Sequence, residues 1–376
     1  MTAHAVLGID IGGTKISLCA VNESGQILAS HRIPTRSSDG ACIVLERLTV
    51  AARGLIEQVR AAHLAEICGV GVVTPGVVEV DSVKLAPNNH GWDQVALAAT
   101  IRERLGLDAV EADNDAKAAT AAEARWGALA GVTDGILLNL GTGISAGAIV
   151  GGQLLRGAHG AALEIAYQVP SSGPLHGFRN GSAPLEEAFS GAGLEKAASA
   201  LLGRPTATDE VFAAMALPPD SAQIDRLSSD CPSDDKTRLA ALGQEALDLA
   251  ARAVANLAIA LDPQVVAVSG GMLASADHII PQLSAALAQL VPFPPRLVLA
   301  HFAQHAPLAG ACLLGYRAAG LPAPEQLLIK NTRKAFPRQA VPPVLDTSGQ
   351  LSRKDPNGAA MAGRSRSRTA HIEGER

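Results

Sequence analysis

The residues best suited to chemistry in this chain are a carboxylate and an amide that follow a buried strand. Asn114 and Asp115 close a predicted strand and open a predicted helix, a position from which side chains project into a cleft. Phosphoryl transfer asks little more of a protein, because the acceptor hydroxyl must be held in line and its proton accepted late. Asp115 can accept that proton while Asn114 fixes a neighbouring hydroxyl. Asn114 or Asp113 can also cap the helix, and the sequence leaves this second role open.

Glycine-rich turns follow three of the predicted strands. DIGGTK (residues 10–15) and LGTGI (residues 140–144) place glycines where no Cβ keeps backbone N–H groups away from a phosphate. Either turn alone is compatible with an ordinary hairpin, whereas two facing turns can clamp a phosphate chain. The SGG turn leaves room for a base or ribose. The predicted nucleotide-binding residues are Asp10, Gly12, Gly13, Thr14, Lys15, Gly141, Thr142, Gly143, Ser269, Gly270 and Gly271.

Asp10 has a second predicted role at the end of its strand. Its carboxylate is placed to hold Mg²⁺ through water, because Mg²⁺ gives up its hydration shell reluctantly. The turn that follows joins two strands, which separates it from a Walker loop or a Rossmann fingerprint, since both need a following helix.

Hairpins followed by alternating helices and strands appear in both halves of the sequence. The first hairpin covers residues 4–30 and the second covers residues 136–150. Further strands are predicted at 67–73, 264–269 and 296–300, and helices at 41–62, 93–105, from about 116, 185–202, 238–261, 279–290 and 307–318. This recurrence is typical of a duplicated α/β domain.

Composition excludes several classes of protein. The 376 residues carry a net charge of −5 with mixed signs, which argues against a nucleic-acid surface. The first residues lack the basic and apolar regions of a signal peptide. The uncharged run 135–155 contains six glycines and predicts short strands, not a membrane span. Five widely spaced cysteines without a CxxC pattern favour a reduced, cytoplasmic location. Residues 321–376 turn polar and basic and are predicted to be a disordered tail.

In this order, the motifs resemble those of the ROK family (repressors, open reading frames, kinases), which includes bacterial glucokinases. The resemblance covers about residues 5–320, and the three turns resemble the family's two phosphate motifs and its adenosine motif. Asn114, Asp115 and Glu123 match the NDxxAAAxxE signature, in which the aspartate is the catalytic base. The resemblance therefore implies that Asp115 is the base of a sugar kinase.

Sugar recognition is also assigned by this resemblance. TPG at 74–76, followed by PN at 87–88 and GW at 91–92, resembles the family's sugar-cleft loops. RGA at 156–158 and Glu164 match the RGAxGxxGEIGH stretch, whose glutamate binds sugar hydroxyls, and Glu186 or Glu187 matches a later sugar-binding glutamate. The implied sugar-binding residues are Gly76, Asn88, Asn114, Asp115, Glu164, Tyr167 and Glu186.

The chain departs from the family where members usually bind zinc, at the histidine that ends GEIGH and in a CxCGxxGC loop. Tyr167 stands at the histidine position and the loop has no cysteine. Zinc needs about four N or S ligands, and His159 and His176 are the only histidines nearby, so we predict a zinc-free member. Tyr167 either offers its hydroxyl to the sugar or fills the zinc space with its ring. Lys117, where asparagine is usual, adds a charge near the catalytic helix.

The resemblance implies two α/β domains of the actin-like, RNase H-like (ASKHA) type with a cleft between them. The expected limits are residues 1–112 plus 306–320 for the smaller domain and 113–305 for the larger. The implied reaction transfers the γ-phosphoryl group of ATP, with Mg²⁺, to the 6-hydroxyl of a hexose, glucose first. Alternatives are an amino sugar or N-acetylhexosamine as acceptor, or a sugar-binding regulator without catalysis.

Partners are expected to be small molecules, with neither nucleic acid nor membrane among them. A repressor with a winged helix is not expected, because the first phosphate motif already begins at residue 10. A homodimer is one candidate assembly that the sequence leaves open.

Overall fold

The architecture is given by a computed structural model that describes residues 3–63, 65–86, 91–169, 177–215 and 235–329. The predictions for Asn88, His176 and the chain from residue 330 onward lie outside these ranges. The strands and helices are β1 Ala3–Ile11, β2 Lys15–Asn22, β3 Ile27–Pro34, α1 Ala41–His63, β4 Ala65–Thr74, β5 Val77–Val78, β6 Val83–Lys84, α2 Leu97–Leu105, β7 Val110–Asn114, α3 Asp115–Trp126, β8 Gly135–Leu140, β9 Ile144–Val150, β10 Gln153–Leu154, α4 Pro184–Ala188, α5 Gly191–Leu202, α6 Thr208–Met215, α7 Asp235–Leu261, β11 Val265–Ser269, α8 Ala276–Leu290, β12 Arg296–Leu299 and α9 Ala306–Ala318.

Two five-stranded sheets have the same connectivity. The first has the order β3-β2-β1-β4-β7, and the second has the order β10-β9-β8-β11-β12. In each sheet the first three strands of this order pair antiparallel, and the last two run parallel to the third. The duplicated α/β design predicted from the glycine hairpins is confirmed.

Helix α9 packs on the first sheet although it closes the folded chain. It contacts β1, β4 and α3 closely, and glycines in β4 make this approach feasible. A Cβ at Gly71 would collide with the carbonyl oxygen of Ala311 in α9. Grouping residues 306–320 with the first domain agrees with this packing, but the exact domain limits stay a prediction. Both sheets belong to one compact unit, residues 1–331.

Each sheet has its own hydrophobic core, and a third cluster joins the two. The first core gathers β1, β2, β4 and α1, and the second gathers β8, β9, β11, α7 and α8. The third cluster contains residues of both sheets together with α3 and α9. Helices α3 and α9 therefore connect the two sheets.

The strand ends of the first sheet explain where polar side chains collect. Three polar residues lie at the ends of neighbouring strands that pair in parallel. They are Asp10 near the end of β1, Thr74 at the end of β4 and Asn114 at the end of β7. Ligands of open α/β sheets bind outside the carboxyl ends of parallel strands. The carboxyl ends of β1, β4 and β7 are therefore the expected position of a ligand site.

Three sequence predictions need correction. Residues 185–202 form two helices, α4 and α5, because Ser190 breaks the run and caps α5 by accepting a hydrogen bond from Gly193 N at 3.0 Å. Helix α6 was not predicted. The tail does not begin at residue 321, since Leu327 is buried and Leu328 N donates to Gly25 O at 2.9 Å.

The uncharged run 135–155 forms β8, β9 and β10, as predicted. Among the helices in the described residues, none has both the length and the apolar character needed to cross a bilayer.

Candidate active site

Asn114 and Asp115 occupy the junction between β7 and α3. Asn114 caps the helix, because its Oδ1 accepts a hydrogen bond from Lys117 N at 3.0 Å. Its Nδ2 donates to Gly76 O at 2.6 Å, so the same side chain fixes the turn after β4. The capping role that the sequence left open is therefore real. The carboxylate of Asp115 accepts a hydrogen bond from Ala116 N at 2.7 Å through one oxygen, Oδ1.

The charge of Asp115 acts on Asp10, although the two are far apart in sequence. The pKa of Asp10 is raised to about 7, mainly by burial and also by the negative charge of Asp115, with Lys15 and Arg32 acting in the opposite direction. Burial also raises the pKa of Asp115, and Lys117 opposes that effect. A cation bound near these two partly buried carboxylates would stabilise their negative charges.

The first glycine turn is anchored by hydrogen bonds from Thr35, the residue that follows β3. Thr35 Oγ1 donates to Gly12 O at 2.6 Å, and Thr35 N donates to Thr14 O at 3.0 Å. Gly13 and Thr14 remain exposed at the tip of the turn. The carbonyl groups are thus turned toward the protein, and the tip is open to a ligand.

The second glycine turn is held by the junction of α4 and α5. Gly191 N donates to Gly141 O at 2.8 Å, and Ala192 N donates to Thr142 O at 3.0 Å. Glu186 Oε2 accepts a hydrogen bond from Ile144 N at 3.1 Å. Glu186, for which the resemblance implied sugar binding, therefore also anchors the second glycine turn.

The SGG turn lies directly beside the second glycine turn. Ser269 pairs with Asn139 in the parallel register of β11 and β8, and its Oγ donates to Asn139 Oδ1 at 3.3 Å. Gly270 has a φ of 105°, and a Cβ there would collide with Leu140 O. Glycine is required at this position, and two of the three predicted nucleotide motifs form one continuous surface.

A small cavity connects Asp115 with this surface. It is lined by polar and apolar side chains from α3, β8, β9 and β11, and by the first turn of α9. The lining residues include Asp115, Asn139, Ser145, Ser269 and Pro307. Asp115 therefore shares a cavity with residues that flank the second turn, and its charge also acts on Asp10 before the first turn.

Glu164 and Tyr167 lie on a loop that faces the start of α3. Glu164 Oε1 is 3.7 Å from the ammonium Nζ of Lys117. Burial raises the pKa of Glu164 and of Tyr167, and neighbouring carboxylates add to both shifts. The Tyr167 ring packs edge-to-face on Phe178, with ring centroids 5.6 Å apart. The ring thus has a packing role, and the prediction that its hydroxyl meets the sugar stays open.

Two further residues of the matched motifs are structural. Arg156 forms a two-pronged ion pair with Asp113, with N–O distances of 3.1 and 2.7 Å. Glu123 is fully buried, and its carboxylate accepts hydrogen bonds from the backbone N–H groups of Ala128, His301 and Phe302. These contacts fix α3 and the segment before α9 around the site.

Sequence reasoning missed Arg32 and His305. Asp10 pairs with Ser17 and Ser17 pairs with Arg32 across β1, β2 and β3, which places the three on one face of the sheet. Burial lowers the pKa of His305 at the start of α9, and the charges of Arg32 and Lys15 lower it further. Counting the hairpin register from Asp10 is the signal that finds Arg32, but no local pattern marks His305.

The described ranges contain no cluster of side chains that could by itself hold a metal ion. There, the structure contains no group of three or more His, Cys, Asp or Glu side chains arranged to hold a metal. The zinc-free character stays a prediction, because His176 and its neighbours lie outside those ranges.

Two sheets of identical connectivity, joined through α3 and α9, define an actin-like, two-domain α/β protein. The chain belongs to the ROK family, whose family model matches residues 6–317. It is 37% identical over 163 residues to the glucokinase of Streptomyces coelicolor, an alignment that covers 43% of this chain and 48% of the relative. The match therefore spans about half the length of that relative.

Two other comparisons extend over most of the chain. The N-acetylmannosamine kinase of Shigella flexneri is 30% identical over 315 residues, covering 82% of this chain and 97% of the relative. The crystal structure of a ROK family glucokinase from Streptomyces griseus in complex with glucose and AMPPNP has a TM-score of 0.62 and 27% identity, covering 83% of this chain and 99% of that chain.

Proposed function

We propose that this protein is an ATP-dependent hexose kinase that transfers the γ-phosphoryl group of ATP to the 6-hydroxyl of a hexose, with glucose the first candidate. The observation that carries the proposal is the place of Asp115 at the start of α3. Its charge acts on Asp10 before the first glycine turn, and it lines one cavity with Asn139 and Ser145, which flank the second glycine turn, and with Ser269 of the SGG turn. An acceptor hydroxyl at Asp115 would thus lie near both turns that we propose to hold phosphates.

Asp115 is suited to the role of base. Its Oδ1 accepts a hydrogen bond from Ala116 N, which fixes the carboxylate and leaves Oδ2 for the sugar hydroxyl. Burial raises the pKa of Asp115, which strengthens it as a proton acceptor, and the hydrogen bond from Ala116 N and the charge of Lys117 act in the opposite direction. A positioned carboxylate accepts the proton as the bond to phosphorus forms, and typically contributes about 10²–10⁴-fold to the rate.

The phosphate chain would lie between the two turns. Gly13 and Thr14 on one side and Thr142 and Gly143 on the other would donate backbone N–H groups, and Lys15 would add a positive charge. Gly12 and Gly141 would shape the turns, because Gly12 N donates to Lys15 O and Gly141 N donates to Gly143 O. Ser269, Gly270 and Gly271 would line the ribose and base. The contact between Gly270 and Leu140 supports this arrangement, because it brings the adenosine and phosphate motifs together.

The residues around Asp10 fit Mg²⁺. Carboxylate oxygens are the ligands that Mg²⁺ prefers, and the like charges of Asp10 and Asp115 favour a cation near Asp10. Asp10 would hold the ion through water. When bound, Mg²⁺ neutralises charge on the phosphate oxygens.

The sugar ring would be fixed by hydrogen-bonding groups around Asp115. Asn114, Glu164, Tyr167 and Glu186 are the proposed ligands, with Gly76 and Asn88 from the loops after β4. The support is mutual proximity, since Asp115 and Glu186 both act on the pKa of Glu164, and Glu164 and Glu186 on that of Tyr167. Asn114 keeps one amide hydrogen for a sugar hydroxyl after its bond to Gly76.

The test is ADP release from Mg-ATP across a panel of hexoses, with Asp115→Asn beside the wild type. We expect turnover on at least one hexose and a loss of about 10³-fold in kcat in the variant, with sugar affinity changed only a few-fold. Asp277→Asn, an exposed acid-to-amide change in α8, is the matched control. Comparable turnover in Asp115→Asn would refute the assignment of the base.

An N-acetylhexosamine or amino sugar is the second candidate acceptor. The Shigella flexneri N-acetylmannosamine kinase aligns over 97% of its length, and Tyr167 alters the sugar side of the site. A kcat/KM for N-acetylmannosamine or glucosamine above that for glucose would establish this reading. Negligible turnover on both would exclude it.

A sugar-binding regulator that has lost catalysis is the third reading. Binding of a hexose by calorimetry, without ADP release from any donor, would favour it. The cytoplasmic location and a homodimer stay predictions.

A further inference from the structure

Lys117 carries a buried charge that the proposed chemistry does not use. It lies on α3 two residues after Asp115, and only 1% of the residue is exposed. Burying an ammonium group is costly unless it is paired and hydrogen-bonded. Its Nζ donates to Ala162 O at 3.4 Å and lies 3.7 Å from Glu164 Oε1. Within the described residues, Glu164 is its one carboxylate partner at ion-pair distance.

Glu164 needs such a partner to keep its place. The residue before it, Leu163, has a φ of 63°, a left-handed conformation that costs a branched side chain free energy. The loop also leaves the Glu164 side chain 23% exposed at the site. The contact with Lys117 ties this strained loop to the helix that carries Asp115.

The charges around Glu164 also make Lys117 important for this carboxylate. Burial and the charges of Asp115 and Glu186 all raise the pKa of Glu164, and Lys117 lowers it. Lys117 is therefore the group on α3 that favours the ionised carboxylate. An ionised carboxylate only accepts hydrogen bonds, so it selects a ligand that presents O–H or N–H donors.

We infer that Lys117 is a positioning residue for sugar recognition. Its ammonium group holds the Glu164 carboxylate in place and ionised, as an acceptor for two donor groups on the sugar, vicinal hydroxyls or a hydroxyl beside an N–H. The inference rests on the proposed function only in taking Glu164 as a sugar ligand. Lys117 itself touches neither the sugar nor the phosphates.

A double-mutant cycle on sugar affinity tests this inference. Lys117→Met, Glu164→Gln and the double variant are compared with the wild type by calorimetry, using the hexose with the highest turnover or, without turnover, glucose. We expect Lys117→Met to weaken sugar binding about tenfold while KM for ATP changes less than threefold. In the Glu164→Gln background, Lys117→Met should change sugar affinity less than twofold, because its effect acts through Glu164.

Stability is the second readout, because Lys117→Met leaves a buried carboxylate unpaired and is expected to lower Tm. The double variant has no buried charge at this pair and should regain most of that Tm without regaining sugar affinity. If Lys117→Met does not fold, a sugar affinity about tenfold weaker in the double variant than in Glu164→Gln would still overturn the inference. Arg204→Met, which breaks a surface ion pair with Glu210, is the matched control.

Independent losses of sugar affinity, about tenfold in both backgrounds, would overturn the inference. So would a fall in Tm with unchanged sugar affinity, since Lys117 would then be structural only. Failure of the proposed function has a different signature, because it abolishes ADP release in the wild type and leaves the cycle on binding intact.

Discussion

The two glycine hairpins share a backbone design but differ in charge. Two residues before the first glycine of each turn stands Asp10 in one half and Asn139 in the other. Each pairs across the hairpin with a serine, Ser17 in the first case and Ser145 in the second. Equivalent positions of the two sheets thus carry aspartate in the first and the uncharged asparagine in the second.

The surroundings of the two side chains match this difference. Asp10 lies near the charges of Lys15 and Arg32 and next to Asp115. Asn139 instead bonds within its own sheet, donating to Ser145 Oγ at 3.4 Å and accepting from Ser269 Oγ at 3.3 Å. The comparison indicates that the same scaffold occurs twice, with a partly buried carboxylate in one copy and a hydrogen-bonded amide in the other.

Asp10→Asn, which makes the first hairpin match the second, should have the largest effect. We expect kcat to fall about 10²–10³-fold, because a charged group that supports the reacting phosphates is lost. Folding should be retained or improved, since a buried carboxylate with a raised pKa is removed. The measurement is kcat as a function of Mg²⁺ concentration together with Tm. Activity unchanged at saturating Mg²⁺ would show that Asp10 has no part in holding the ion.

The reverse change, Asn139→Asp, should mainly affect stability. The new carboxylate would lie between Ser145 and Ser269, near Asp115, without a cation beside it. We expect a loss of about 2 kcal/mol in the free energy of unfolding, which chemical denaturation measures. Asn139→Ser, which keeps polarity without charge, is the control. A stable Asn139→Asp whose Tm rises with Mg²⁺ would mean that the two hairpins are interchangeable metal sites.

Thr35→Val tests how the two turns are anchored. The first turn is held by the hydroxyl and the backbone N–H of Thr35, whereas the second is held by backbone N–H groups of α5 and by the Glu186 carboxylate. Valine keeps the shape and loses the hydroxyl, so we expect KM for ATP to rise a few-fold and stability to fall by about 1 kcal/mol. Sugar affinity measured without nucleotide should not change. A larger effect on sugar than on ATP would contradict the assignment of the first turn to phosphates.

Local patterns were enough to predict the hairpins, their duplication and the strand end that carries Asp115. Each depends on residues adjacent in sequence, such as the glycines after β1 and β8. The break at Ser190 was missed although serine is a favoured helix cap and the poor helix formers Gly191 and Gly193 follow it. The contact of Lys117 with Glu164 could not be predicted, since a loop folds back across the chain to make it.

Glu186→Gln is expected to have the smallest effect on stability and to sharpen the comparison of anchors. Burial is the main cause that raises the pKa of Glu186, with Glu187 adding to it and the bond from Ile144 N opposing it. The folded-state pKa therefore lies above the unfolded one, and the charged form destabilises the protein increasingly as pH rises between the two. Glutamine still accepts from Ile144 N, so we expect Tm to rise by about 1–2 °C near pH 8 and not near pH 4. Calorimetric scans at the two pH values measure this. An equal change at both would mean that the substitution acts through packing and not through charge.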